Sequence, residues 1–397
     1  MTMITLRNFI RNAIPIEIRA LRWGDRDPLR RIMWKYFSSK RIVKALEEGV
    51  LYSRQNYPFE DIQRRSDALN PGILNAFDAD SLSAETHEMV CVFNQPAFIE
   101  PQRGWIICNP FHLVDNCLRN SSEAPRPAIR NYVKTRLFQR SKVTTERAVI
   151  SLRDIGEQNY YHALIDLIGG RLRLAEHCNL DPNMPLVVGK AVYQKSFFQD
   201  ILRKSELRKR RLIIQGDDFI LCEKVYFFET DRTNKKSLEY LVKLLNVPDS
   251  NQKSNRRVFL TRSPHAGRNI KNINVIEEVC RKFQFEIVDT SMMSLDGQIE
   301  LFSGARYVIG IHGAGLTNII FRKNGALTLL EIFPPVAYQT QGVGPPPHYF
   351  WMACALGFEY DAIFGQETSG NRTAPNYRNS FEVDANLLSS RIESMLN

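Results

Sequence analysis

No stretch of the 397-residue sequence approaches the roughly 18 uninterrupted apolar residues that a membrane-spanning helix needs. The opening, Met1-Thr2-Met3-Ile4-Thr5-Leu6-Arg7, also lacks an apolar core of secretory-signal length. A cytoplasmic chain is expected on that ground, with a processed chain that has lost its anchor as the alternative. There is no Cys-x-x-Cys pair. The seven cysteines (Cys91, Cys108, Cys117, Cys178, Cys222, Cys280 and Cys354) are dispersed and odd in number, which favours buried reduced thiols over a disulfide framework or a zinc site. No internal repeat is visible. No glycine-rich loop is followed by Gly-Lys-Ser/Thr, and the GxGxxG order of dinucleotide binders is missing, so neither a P-loop nor that fingerprint is present.

What remains is a composition ordinary for a globular protein, 44% apolar and 24% charged, in a chain long enough for two domains. The net charge of +10 is uneven: residues 1–50 hold 11 Arg and Lys against 5 Asp and Glu, +6 of the total. Ile10, Ile14, Ile16, Ile18, Leu21, Ile32, Trp34 and Phe37 punctuate that segment. Such a stretch can lie on an anionic membrane surface, each cation contributing about 1 kcal/mol, or be a solvated basic face packed on its domain. A second cluster, Arg203-Lys204 and Arg208-Lys209-Arg210-Arg211, lacks interleaved aromatics. It reads as a loop or helix end, and nucleic acid is not an expected partner.

Short apolar runs at Met89–Phe93, Trp105–Cys108 and Ala148–Leu152 mark the first 150 residues. A helix is expected from Tyr160 to about His177, with extended segments at 186–188, 212–214 and 224–228. Polar residues between 230 and 255 suggest a linker. Beyond Arg256 the pattern becomes regular. Strands are expected at 258–260, 285–288, 307–311, 327–333 and 360–364, and helices at 275–283, 295–302, 316–321, 349–356 and 385–396. Alternation of that kind implies βα units and a parallel sheet covered on both faces, a doubly wound domain over roughly 240–365.

The strongest local feature is the turn Gly310-Ile311-His312-Gly313-Ala314-Gly315, which joins a buried strand to a helix start. Glycines there permit close approach of a ligand and positive φ, and free helix-start amides suit an anion. The dipole contributes only about 0.3–1 kcal/mol, so a diphosphate also needs cations, and Arg262 and Arg268 follow the first strand of the same domain. A tight turn that merely lets helix and strand pack is the competing reading. Glu331, inside an apolar strand, could take ribose hydroxyls, or reach solvent or an arginine. His162 and Asp166, four apart on a helix, form a stripe with Gly169 or Gly170 and Arg173. They suit a general-base pair, although a satisfied core histidine fits the pattern too. No third ligand is evident for a metal.

Asn159-Tyr160-Tyr161-His162 through Asp166, Leu260-Thr261-Arg262 with Arg268, Gln298 with Phe302 and Ala305, Gly310 through Asn318 with Phe321, and Glu331-Ile332 together resemble the family 61 glycosyltransferases. That family includes plant xylan-decorating enzymes, animal O-linked N-acetylglucosamine transferases of the secretory pathway and bacterial capsule proteins. The resemblance covers roughly residues 150–335. It implies an α/β, GT-B-like fold, two facing Rossmann-like domains with a cleft between them. Residues 1–240 would form the acceptor side, 241–365 the nucleotide-sugar side, and 366–397 a tail and helix packing back on the N-terminal domain.

It also implies an inverting transfer from a nucleoside-diphosphate sugar, with UDP the expected nucleotide, to an oligosaccharide or lipid-linked glycan in envelope or capsular polysaccharide synthesis. Donor contacts would come from Arg262, Arg268, His312, Gly313, Ala314, Gly315, Asn318 and Glu331. Asp166 would be the base and His162 its orienting partner, with the reverse assignment close behind. Asn159, Tyr161 and Arg173 would lie on the acceptor side. No metal and no further cofactor are expected. Asp25-Arg26-Asp27 and Asp78-Ala79-Asp80, outside the resemblance, are read as chance triplets, and the sequons at Asn120 and Asn371 likewise. Many family members carry Trp after the motif histidine and Pro before the later Arg-Leu, where this chain has Ala163 and Gly170. A catalytically inactive nucleotide- or glycan-binding module in a membrane-associated assembly is the alternative.

Overall fold

The computed structural model describes residues 42–43, 50–52, 77, 88–108, 112–114, 143–230, 235–263, 267–335, 345–368 and 378–397. Most of the basic N-terminal segment, both Asp-x-Asp triplets and both sequons lie outside the described residues. Among the described residues no helix is long and apolar enough to cross a membrane. The chain divides into two compact units, one comprising 1–48, 91–149 and 217–226, the other 49–90, 150–216 and 227–397.

The described residues of the first unit are β-rich. Ala97–Ile99 pairs antiparallel with Ile106–Cys108, which pairs antiparallel with His112–Val114. Ile220, Leu221 and Cys222 close on the other side of Ala97–Ile99. The hairpin loop is held by Glu100, whose carboxylate accepts from the Gln102 and Arg103 amides at 2.9 and 2.7 Å. A buried carboxylate is tolerable there because backbone donors saturate it.

The second unit carries the candidate chemistry. Ile150 and Ser151, at the end of Val143–Ser151, pair parallel with Leu186–Gly189, which pairs parallel with Leu212–Gln215. Beyond their carboxyl ends a buried charge cluster forms: Arg153 bonds Glu157 at 3.0 Å and also meets Gln215, while Arg171 bonds Asp154 at 2.6 Å. Gly189 makes room for it, since a Cβ there would lie 1.9 Å from Glu157 Oε1.

The expected helix over 160–177 forms, but not as a plain α-helix. Asn159 caps it, its Oδ1 accepting from the Tyr161 amide at 2.9 Å. After Tyr160–His162 the run Ala163–Leu172 is π-helical, and Arg173–His177 is α again. A ten-residue π segment is far longer than the single-turn bulges in which this geometry usually occurs. Gly169 and Gly170 permit a close crossing. A Cβ on Gly169 would lie 2.9 Å from Leu241 Cδ1, in the helix Lys235–Leu244, and one on Gly170 would lie 2.8 Å from Thr230 Cγ2.

The regular C-terminal pattern folds into a five-stranded parallel sheet. In space the strands run Glu286–Val288, Arg256–Leu260, Ala305–Ile311, Thr328–Phe333 and Glu359–Phe364. Numbered along the chain, that order is 2-1-3-4-5, a doubly wound arrangement. One face buries Phe259, Ile309, Ile311, Leu330, Ile332 and Ile363 beneath the helices Ile273–Lys282 and Ala385–Leu396. Register places Gly310, Glu331 and Ala362 side by side on the other face, where Phe333 and Ala362 pack with Phe350 of the helix His348–Leu356. The switch point, where successive strands diverge, falls between Arg256–Leu260 and Ala305–Ile311. The basic cluster near 203–211 is indeed a helix end: Ser196–Lys204 stops there and Glu206–Lys209 is a 3₁₀ turn. Arg203 pairs with Asp200 at 2.8 Å.

Arg173 lies deep in this unit. Its Nε donates to Gly169 O at 3.0 Å and Ser237 Oγ at 3.1 Å, and Nη2 pairs with Glu88. Removing one partner of a buried ion pair strands the other. Arg173→Met should therefore lower unfolding free energy by about 3–5 kcal/mol in urea titrations, and adding Glu88→Leu should recover most of that. A single-variant cost below about 1 kcal/mol would show that the pair is not load-carrying.

Candidate functional site

The carboxyl edge of the five-stranded sheet, at its switch point, is where open α/β sheets hold ligands. Two of the sequence-singled features meet there. Arg262 leaves the end of Arg256–Leu260, and the glycine turn leaves the end of Ala305–Ile311. His312 continues the ladder, its N–H donating to Ile332 O at 2.9 Å. Its carbonyl then accepts from both arginines, Arg262 Nη1 at 3.1 Å and Arg268 Nη1 at 2.5 Å. Arg268 sits in left-handed backbone (φ 58°) next to Gly267 (φ 70°), with its N–H donating to Arg378 O. Left-handed backbone costs a non-glycine residue roughly 1 kcal/mol or more, so its surroundings must impose it.

The glycines of the turn serve a different need from the expected positive φ. Gly313 is extended (φ 165°), and the left-handed glycines among the described residues are Gly104, Gly267 and Gly357. Space is the constraint instead. A Cβ on Gly313 would lie 2.4 Å from Arg262 Nη1, one on Gly310 would lie 2.8 Å from Leu316 Cδ2, and one on Gly315 would lie 3.2 Å from Thr290 Oγ1. The element after the turn, Ala314–Phe321, is a 3₁₀ helix whose first bond runs from Leu316 N–H to Gly313 O at 3.0 Å. The amides of Gly313, Ala314 and Gly315 precede that bond, as helix-start donors do.

Beneath the turn lies a buried polar layer. Glu331, fully buried, sits 2.5 Å from His312 Nδ1 through one oxygen and accepts from the Tyr360 hydroxyl at 2.6 Å through the other. Burial and the neighbouring Glu331 carboxylate lift the Tyr360 phenol well above its ordinary value. Asn318, also fully buried, donates from Nδ2 to Gln298 Oε1 at 2.7 Å and accepts at Oδ1 from Tyr160 OH at 2.6 Å. Burial pushes the Tyr160 phenol up as well, which keeps it a donor. Glu331 and Asn318, expected at the donor, are fully buried and bond the neighbours of the turn, His312, Tyr360, Gln298 and Tyr160.

His162 and Asp166 are bonded, Nδ1 to Oδ2 at 2.8 Å, with the histidine side chain 22% exposed and the carboxylate 3%. Rings join this pair to the turn. Tyr161 packs edge-on to His162 (centroids 5.2 Å), stacks on His348 (5.2 Å) and meets Tyr349 (5.9 Å). Tyr349 reaches His312 edge-on at 5.5 Å and donates its hydroxyl to Gly313 O at 2.7 Å. His348, Tyr349 and Tyr360 stand in no motif of the sequence, and Tyr160 enters it only as part of the Asn159–His162 run. For the three tyrosines the one local signal is that a buried phenol seeks an acceptor, and which acceptor it finds is a matter of tertiary packing.

A family model described as Glycosyltransferase 61 matches residues 111–329, more than half of the chain. The protein belongs to glycosyltransferase family 61. It is a glycosyltransferase, with a sugar donor and a glycan acceptor as its partners. A comparison with curated proteins gives no match. The match spans the His162 helix, both arginines and the glycine turn of the transferase, and stops just before Glu331, leaving Tyr349 outside it. Among the described residues no three His, Cys, Asp or Glu side chains are grouped as a metal site. Cys222 and Cys280 are thiols that burial pushes up to about 12, which makes them poor nucleophiles.

The Tyr360 shift sets a pH dependence. Above the ordinary phenol value of about 10 the unfolded chain releases this proton while the folded transferase keeps it. Stability present below that pH is therefore lost as pH rises toward the folded value. Urea midpoints measured from pH 8 to 11 should fall less steeply for Tyr360→Phe than for the parent; parallel curves would show that Tyr360 ionises normally.

Proposed function

We propose that this transferase inverts the anomeric carbon of a nucleoside-diphosphate sugar in one displacement, with His162 as the general base. The observation that carries the reading is the His162–Asp166 bond, in which the accessible partner is the histidine and the carboxylate is buried. A base must come within hydrogen-bond reach of the acceptor hydroxyl, so the geometry favours His162 for that task over the Asp166 assignment expected from sequence. With Nδ1–H on Asp166, Nε2 is the basic nitrogen, and Asp166 stabilises the imidazolium that forms. His162 takes the acceptor proton, the acceptor oxygen bonds to the anomeric carbon, and the bond to the diphosphate oxygen breaks. The nucleoside diphosphate leaves with the electron pair.

That leaving group needs fixed positive charge. Arg262, Arg268 and the amides of Ala314 and Gly315 supply it in this reading, each charge-assisted bond contributing about 1.5–3 kcal/mol. Convergence of both arginines on His312 O supports the assignment. In this reading no metal takes part, Glu331 acts on the donor through His312, and Asn159 and Tyr161 shape the acceptor side. UDP as the nucleotide, a capsular or envelope glycan as the acceptor, and a cytoplasmic site with the basic N-terminus at the inner face of the membrane belong to the same proposal. So does the GT-B-like arrangement, which the 2-1-3-4-5 sheet supports for residues 241–365.

Two measurements test it. In a thermal-shift panel of UDP, GDP, CMP and dTDP, one nucleoside diphosphate should raise the midpoint of the parent and of His162→Ala, but not of Arg262→Ala/Arg268→Ala. Transfer assayed with that donor should fall about 10²–10⁴-fold in His162→Ala. Full turnover in His162→Ala would remove it as the base, and an undiminished shift in the double arginine variant would remove the diphosphate seat.

A further inference from the structure

We propose that Tyr349 is a positioning residue for the transfer, aligning the donor turn and the His162–Asp166 pair with one side chain. This rests on the reading of the turn as the diphosphate seat. Tyr349 lies outside the residues matched by the family model, in the helix His348–Leu356, and it touches both halves of the machinery. Its hydroxyl donates to Gly313 O at 2.7 Å, and its buried ring meets both His312 and Tyr161, the neighbour of His162.

The hydroxyl acts through peptide planarity. In a trans peptide the carbonyl and the next N–H point in opposite directions. Tyr349 and the Leu316 amide both hold Gly313 O, so together they fix the direction in which the Ala314 N–H points. That amide is one of the donors assigned to the leaving diphosphate. Without the phenol, a single bond to Leu316 retains the carbonyl, and the plane can rock. Gly313 has no side chain to resist such a motion, because Arg262 occupies the space a Cβ would need. The ring is a spacer between His312 and Tyr161, and its loss relaxes both the turn and the support beneath His162.

Tyr349→Phe removes the hydroxyl and keeps the ring. Calorimetric titration with UDP, GDP, UMP and GMP should show diphosphate binding weakened about three- to tenfold, the size of one lost neutral hydrogen bond, with monophosphate binding unchanged. The donor KM should rise by the same factor, kcat should stay within about twofold, and the thermal midpoint without nucleotide should fall by only a few degrees, as the loss of one buried hydrogen bond requires. Tyr349→Leu removes the ring as well and should additionally lower kcat and displace the acidic limb of the pH–rate profile. If Tyr349→Leu does not fold, Tyr349→Phe alone decides. Equal diphosphate affinity in Tyr349→Phe and the parent, or equal losses for mono- and diphosphates, overturns the inference while leaving the seat standing. A parent protein that binds neither diphosphate overturns the seat itself and this inference with it.

Discussion

The carbonyls of His312 and Gly313 accept hydrogen bonds from three side chains, two from the loop after the first strand of the sheet and one from the helix His348–Leu356. Arg262 and Arg268 converge on the first, and Tyr349 holds the second. Two adjacent peptide planes are fixed in this way at the end of the central strand, where a parallel sheet leaves its last backbone groups without a strand partner. The glycines follow from this constraint. Arg262 can lie over the turn only because residue 313 has no Cβ, and Leu316 can return onto the sheet only because residue 310 has none. A glycine-rich sequence here records crowding more than flexibility.

Around those carbonyls the polar groups sort into two layers. Glu331, Asn318, Asp166, Tyr160, Tyr349 and Tyr360 lie buried or half-buried and are bonded to one another, to the side chains of His312, Gln298 and His162, and to the Gly313 carbonyl. Burying an unsatisfied polar group costs about 1–3 kcal/mol, so such a layer persists only when it is closed on itself. His162, Arg262, Arg268, Ala314 and Gly315 form the more accessible layer. In the proposed mechanism the reaction chemistry falls to the accessible groups, and the buried ones set their directions. Glu331, inside an apolar strand, and Asn318, just past the glycines, look like ligand contacts in the sequence, and in the fold both are fully buried.

The regular part of the architecture was readable in advance. All five strands and all five helical segments after Arg256 appear close to their expected bounds, because buried parallel strands and amphipathic helices leave strong, distinct periodicities. The helix over 160–177 was readable as a helix but not as a π-helix, since its apolar periodicity marks a buried face and does not distinguish the wider turn, and the close packing of Gly169 and Gly170 on Ser237, Leu241 and Thr230 is a tertiary contact. Arg173 falls on the same helical stripe as Asp166 and Gly169, yet it turns to Glu88, about 85 residues earlier in the chain. Helical periodicity assigns a face and says nothing about which distant residue meets it.

By itself the sequence determined the βα alternation, the strand-to-helix glycine turn, the cations following the first strand and the four-residue spacing of His162 and Asp166. All of these are local, set by side-chain period and backbone sterics over a few residues. Tertiary structure alone decided that the His162 helix rests against the glycine turn through Tyr161, Tyr349 and the Tyr160–Asn318 bond, and that Asp166 is buried while His162 is within reach. Those outcomes depend on desolvation and on hydrogen-bond closure between segments more than 150 residues apart, and no local pattern encodes them.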